Sequence, residues 1–156
     1  MTRRQLLWTA PLAGFSAAGC QSGMPTDFAL PDASGATIRL SEFRGKVVLL
    51  DFWATWCGGC KLELPWFMEF ADAYRDQGFR VIGVSLDEEG WKAVRPFLDR
   101  KPINFPVVVG DEQLAFAYDV AALPTTFLIG RDGGIVSSHT GVVDKEGMRA
   151  EIEALL

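Results

Sequence analysis

Leu49-Leu50-Asp51-Phe52-Trp53-Ala54-Thr55-Trp56-Cys57-Gly58-Gly59-Cys60-Lys61-Leu62-Glu63-Leu64-Pro65 decides how this chain reads. An apolar strand pattern gives way to an amphipathic helical one, and two cysteines sit at the join. A cysteine at the first turn of a helix faces unpaired backbone N–H groups and the positive end of the macrodipole. Both favour thiolate, so Cys57 is expected to ionise readily, while Cys60, one turn further in, is expected to be more enclosed. The spacing brings the two sulfurs within disulfide reach. It implies a reversible dithiol–disulfide switch, which needs no cofactor. A structural zinc site would need four ligands, and the chain has three cysteines and one histidine. Haem attachment needs a histidine after the second Cys, where Lys61 stands.

Working outward, 156 residues with 49% hydrophobic content give one globular domain with a real core. A net charge of −5 argues against a nucleic-acid partner, which calls for a basic patch. The sixteen glycines and eight prolines show no period, which excludes a repeat architecture.

Residues 1–19 read as a signal peptide. Arg3 and Arg4 precede a short apolar run, 6–15, and the small residues 16–19 lead to Cys20. About ten apolar residues fall short of the ~20 that a membrane span needs. Thr2-Arg3-Arg4-Gln5-Leu6-Leu7 resembles the twin-arginine export motif. Ala17-Ala18-Gly19-Cys20 resembles a bacterial lipobox, with alanine where leucine is usual. Cys20 would then be the lipidated first residue of the mature chain; the alternative is an ordinary signal peptide with an incidental cysteine. The expected location is periplasmic or otherwise extracytoplasmic, tethered to the membrane by lipid at Cys20. Cleavage leaves 13 Lys and Arg against 20 Asp and Glu, a formal −7. Disulfides persist in such compartments. The loop between Cys57 and Cys60 is too small for their bond to stabilise the fold much, so chemistry better explains the pair.

Residues 20–26 read as a polar tether and 27–156 as the domain. Strands over 28–30 and 37–40 form a hairpin, and 41–45 a helical turn. The run 46–53 is too apolar and β-branched for a one-sided strand, and reads as the central buried strand. In the helix expected over 60–78, Phe67, Phe70, Ala71 and Tyr74 make one apolar stripe that also carries Glu63. Pro65 is expected to kink that helix, and Gly78 to end it. Strands over 80–86 and 105–109 flank a helix over 91–99, which Pro96 is expected to kink or delay. A short helix over 112–118, a hairpin of 125–129 with 135–138, and a helix over 144–156 complete the chain. The pattern is a three-layer α/β/α sandwich around a mixed sheet.

The order of motifs resembles the exported thioredoxin-like family that includes TlpA and ResA. The resemblance rests on residues 51–60, Glu63, Pro65, Asn104-Phe105-Pro106-Val107-Val108 and Leu123-Pro124-Thr125-Thr126-Phe127-Leu128-Ile129. It implies a thioredoxin fold with an N-terminal hairpin and a central α/β insert at about 87–120. It further implies that Cys57 attacks, that Cys60 resolves, and that Leu123–Pro124 is a cis peptide facing the disulfide. There, with Thr125 and Trp56, it would receive a partner's extended chain. Asp51 matches the family's buried aspartate and Glu63 its active-site glutamate. The alternatives are a strand-start residue turned to solvent for Asp51, and an exposed first-turn acid for Glu63. His139 reads as a surface residue on an edge hairpin, and Trp53 as core. Gly59 departs from the family, which carries proline there.

The function implied is extracytoplasmic thiol–disulfide exchange with partner-protein cysteines. The direction is reduction, as in cytochrome c maturation, with a membrane thiol carrier of the CcdA/DsbD type as electron donor. Relatives of the CcmG type carry a Gly-x-Pro-Glu-Thr-like signature, and Ala122-Leu123-Pro124-Thr125-Thr126 lacks its glutamate. A thiol peroxidase would have threonine where Ala54 stands. A copper-handling Sco-like module would space its cysteines one residue further apart and use a distant histidine.

Overall fold

The chain enters the domain through a small antiparallel hairpin, β1 (Ala29–Pro31) and β2 (Thr37–Arg39). The computed structural model describes residues 23–156; the expected signal peptide over 1–19, Cys20 and the start of the expected tether lie outside the described residues. Residues 23–26 are laid against the domain: Ile135 N–H donates to the Gly23 carbonyl, and the Tyr118 hydroxyl to that of Thr26. After β2 comes a 3-10 turn, Leu40–Phe43. It is capped from a distance, because Asp27 accepts from both the N–H and the hydroxyl of Ser41.

The apolar run forms β3 (Val47–Trp53), buried at every position. α1 (Gly58–Ala73), β4 (Phe79–Ser85), α2 (Trp91–Arg100), β5 (Val107–Val109) and α3 (Glu112–Ala117) follow. β6 (Thr125–Ile129), β7 (Ile135–Thr140) and α4 (Lys145–Leu155) close the fold. The sheet order is β5-β4-β3-β6-β7, with β3, β4 and β5 parallel and β6 and β7 antiparallel to their neighbours. The expected mixed sheet, with the active-site strand at its centre, is therefore present.

Pleating divides the core into two layers. Val47, Leu49 and Trp53 face Phe67 and Phe70 of α1, Val94 and Phe97 of α2, and Met148 and Ile152 of α4. Val48, Leu50 and Phe52 face the hairpin and the α3 region, through Phe28, Leu40 and Tyr118. Both β3-α1-β4 and β4-α2-β5 step the same way across the sheet, and right-handed crossovers then put both helices on one face. The hairpin and α3 cover the other.

Local differences from the sequence reading have physical causes. α1 ends at Ala73, five residues early; Tyr74 caps it, packs against Phe79 and bonds Glu153. A 3-10 turn (Arg75–Gln77) and Gly78, with φ of 82°, then turn the chain into β4. α1 runs on through Pro65, and α2 starts at Trp91 and runs on through Pro96. Both prolines lie on exposed sides, where water can satisfy the carbonyl that each leaves unpaired. β7 extends two residues past the expected strand and so takes His139 into the sheet opposite Thr126.

Candidate active site

Cys57 is the N-cap of α1. Its sulfur accepts from the Cys60 N–H at 3.2 Å, which is the polar environment that a thiolate would use. The two cysteines form a disulfide with Cα atoms 5.3 Å apart. Their exposure differs: Cys57 keeps 6% of its surface and Cys60 none. A partner can therefore reach only Cys57. Trp56 beside it is 69% exposed, while Trp53 is fully buried in the core as expected.

Three segments hold this corner. The Leu123–Pro124 peptide is cis, and Thr125 Oγ1 donates to the Ala122 carbonyl at 2.7 Å. The Pro124 carbonyl accepts from Gly141 N–H at 2.8 Å, which ties the loop after β7 to the site. From that loop Val142 covers Gly59, and Val143 N–H donates to Glu63 Oε1. The third segment is the loop after β4, which carries Asp87. Asp87, almost fully buried, accepts from Thr55 N–H at 3.0 Å, Thr55 Oγ1 at 2.6 Å and Ser85 Oγ at 2.7 Å. It fastens the Ala54–Cys57 turn to the end of β4. The one sequence signal for it is an aspartate just past a buried strand.

Both candidate carboxylates are fully buried, which rules out the solvent-facing alternatives. Neither oxygen of Asp51 has a protein partner, and Glu63 Oε2 has none. Burial, and then the charge of Glu63, hold Asp51 well above the usual carboxylate range. Burial pushes Glu63 up to about 7, against the opposing pull of the Val143 N–H and of His139. His139 lies on β7 with Nε2 3.1 Å from Glu151.

A family model described as "AhpC/TSA family" matches residues 23–138. The chain belongs to the AhpC/TSA family. Among its relatives there, the thiol-disulfide oxidoreductase ResA of Geobacillus kaustophilus is 38% identical over 130 residues, covering 83% of this chain and 74% of that one. ResA of Bacillus subtilis is 39% identical, covering 88% and 76%. Among solved structures, the exposed lipoprotein thioredoxin of Streptococcus pneumoniae superposes with a TM-score of 0.74 at 31% identity, covering 83% and 100%. This member of the AhpC/TSA family is accordingly a thiol–disulfide oxidoreductase of the ResA type, with Cys57–Cys60 as its redox pair.

The arrangement supports exchange at one open sulfur. It pairs an accessible Cys57 at a helix N-terminus with an enclosed Cys60, and backs them with two buried carboxyls. Cys57, Cys60, Gly59 and Pro124 are brought together around the disulfide, and Glu63 reaches the same loop through Val143. No helix of the described residues is long and apolar enough to cross a membrane.

Proposed function

We propose that this protein is an exported reductant of disulfides in partner proteins, with Cys57 as attacking sulfur, Cys60 as resolving sulfur and Glu63 as the base that frees Cys60. One observation carries the reading: a fully buried glutamate, its pKa pushed up to about 7, stands three residues after the fully enclosed Cys60. A base works best when its pKa lies near the ambient pH.

The Cys57 thiolate attacks a partner disulfide, and the partner's other sulfur leaves as thiolate. Cys60 then attacks Cys57 of the mixed disulfide, its proton passes to Glu63, and the second partner thiolate departs. Two electrons have moved from the Cys57–Cys60 dithiol to the partner. The charge of Glu63 adds to burial in raising Asp51, so an ionised Glu63 favours a protonated Asp51 beside it. Trp56 and Leu123 form the rim on which the partner's chain lies, and the buried Pro124 and Thr125 hold the loop behind it.

An extracytoplasmic setting fits the signal at residues 1–19 and the lipobox-like Cys20, and a relative of similar length is named an exposed lipoprotein. The ResA resemblance favours apocytochrome c cysteines as substrate and a CcdA/DsbD-type membrane carrier as donor. Rapid mixing of the reduced enzyme with a disulfide substrate tests the assignment. Glu63→Gln should slow resolution by about 100-fold, the lower end for a general base, and leave the first attack intact. Asp51→Asn should do less alone and more in combination. Equal slowing of both steps by Glu63→Gln would overturn the role of Glu63. A reduction potential near that of thioredoxin (~−270 mV) supports a reductant, and one near that of DsbA (~−120 mV) an oxidant.

A further inference from the structure

Five buried side-chain polar atoms among the described residues have no protein partner: both carboxylate oxygens of Asp51, Trp53 Nε1, Glu63 Oε2 and Thr126 Oγ1. They are not scattered. Asp51 on β3 is paired with Thr126 on β6, and Thr126 with His139 on β7. Paired residues share a face of the sheet. Here it is the face under α1 and α4, to whose core the next pair along, Leu49 and Leu128, belongs. On the other side of Asp51 its partner is Gly83, and Trp53 Nε1 lies 3.0 Å from where a side chain there would begin.

A polar row thus crosses an apolar layer at the depth of Asp51. Glu63 joins it from α1, close enough to feel His139 and to perturb Asp51. Only the last member reaches water: the His139 side chain is 35% exposed, and Glu151 of α4 holds its Nε2 at 3.1 Å. The cationic side chains of α4 face elsewhere, since Lys145 and Arg149 bond Glu69. Glu151, Glu63 and Asp51 are therefore the charged groups facing this end of the row. A valine at 126 would fill the same space without burying a hydroxyl, which costs about 1–3 kcal/mol when unpaired. A water held between these groups would satisfy several of them at once.

We propose that His139 is the solvent-side end of a proton path that leads from Glu63 and Asp51, past the Thr126 hydroxyl, to the outer edge of the sheet. This rests on the reading that Glu63 takes the Cys60 proton. When the Cys57–Cys60 bond forms and the partner sulfur leaves, one proton remains on a carboxyl sealed from solvent. Above neutral pH that carboxyl must discharge it. An imidazole carries one nitrogen that can accept a proton and one that can donate it, and at the end of the row it hands the proton to water and leaves Glu63 ionised.

The test uses the reduced enzyme and an aryl disulfide whose coloured thiolates stay ionised. Cys57 thiolate, Cys60 thiol and the aryl disulfide give the enzyme disulfide, two aryl thiolates and one proton. Colour reports the two sulfur steps, and a pH indicator in weakly buffered solution near pH 8 reports the proton. In the wild type the proton should appear with the second thiolate. In His139→Gln and Thr126→Val it should lag by about 10-fold, a modest share of what proton transfer contributes. Added imidazole should abolish the lag in His139→Gln, and Thr126→Ser should show none. Proton release that keeps pace with the second thiolate in both His139→Gln and Thr126→Val would overturn the path. If Glu63→Gln leaves resolution unchanged, the base assignment itself fails; if it slows resolution while the lag is missing, only the path does.

Discussion

Val142 stands where a side chain on Gly59 would go: a Cβ at 59 would lie 2.8 Å from Val142 Cγ2 and 3.5 Å from Pro124 Cδ. The glycine that departs from the family's proline is thus matched to a residue on a distant loop. Gly59→Pro should cost the oxidised protein about 1–3 kcal/mol, as overpacking does. Val142→Ala, at a half-exposed position, should cost little alone and recover most of that loss in the double mutant. Urea unfolding of the four proteins measures the coupling; strictly additive effects would show that the contact does not govern residue 59.

The raised pKa of Glu63 sets a pH dependence of stability. Its carboxyl binds a proton more tightly folded, at about 7, than at its ordinary value of 4.5. Between those values the unfolded chain is ionised and the folded one protonated, so stability is fully present below about 4.5 and falls as pH rises through about 7. Asp51 is raised too and adds in the same direction. The loss attributable to Glu63 should be about 3 kcal/mol, at ~1.4 kcal/mol per pH unit. Glu63→Gln should flatten the profile of the urea midpoint between pH 5 and 8. An equally steep profile in the mutant would place the titration elsewhere.

Asp87→Ala should strip three donors of their shared acceptor, since Thr55 N–H, Thr55 Oγ1 and Ser85 Oγ all converge on that carboxylate. Unpaired buried groups cost about 1–3 kcal/mol each when nothing replaces the partner. A drop in thermal midpoint of several degrees is expected, with slower first attack because Trp56 and Cys57 lose their anchor. Asp87→Asn, which keeps an acceptor, should retain most of both. Wild-type midpoint and attack rate in Asp87→Ala would remove Asp87 from the list of positioning residues.

Cys20→Ala should move the protein from the membrane fraction to the soluble extracytoplasmic fraction with the redox pair intact. Fractionation followed by mass analysis of the N-terminus reads this directly. A wild-type protein that is already soluble, with unmodified Cys20, would end the lipid-anchor proposal.

The central strand, the helix behind it and the cysteine pair were legible because they are written in local patterns. Val47–Trp53 is apolar at every position but Asp51. Glu63 shares a helical stripe with Phe67 and Phe70, which pointed to its burial but left an exposed first-turn acid open until the fold enclosed it. Element ends were less legible. α1 stops at Ala73 because Tyr74 is claimed by Phe79 and Glu153, contacts that no window along α1 contains.

The residues that could do chemistry, and the helix or strand each stands on, are readable along the chain, since helical and strand periods act over a few residues. What only the tertiary structure decided is who meets whom across the chain. Asp87 meets Thr55 across 32 positions, and Val143 meets Glu63 across 80. The register of β3, β6 and β7 sets Asp51, Thr126 and His139 in one row. A one-residue slip in either pairing would turn partners to opposite faces. That register is set by the packing of whole layers, and so no local pattern could announce that a surface histidine ends a buried polar row.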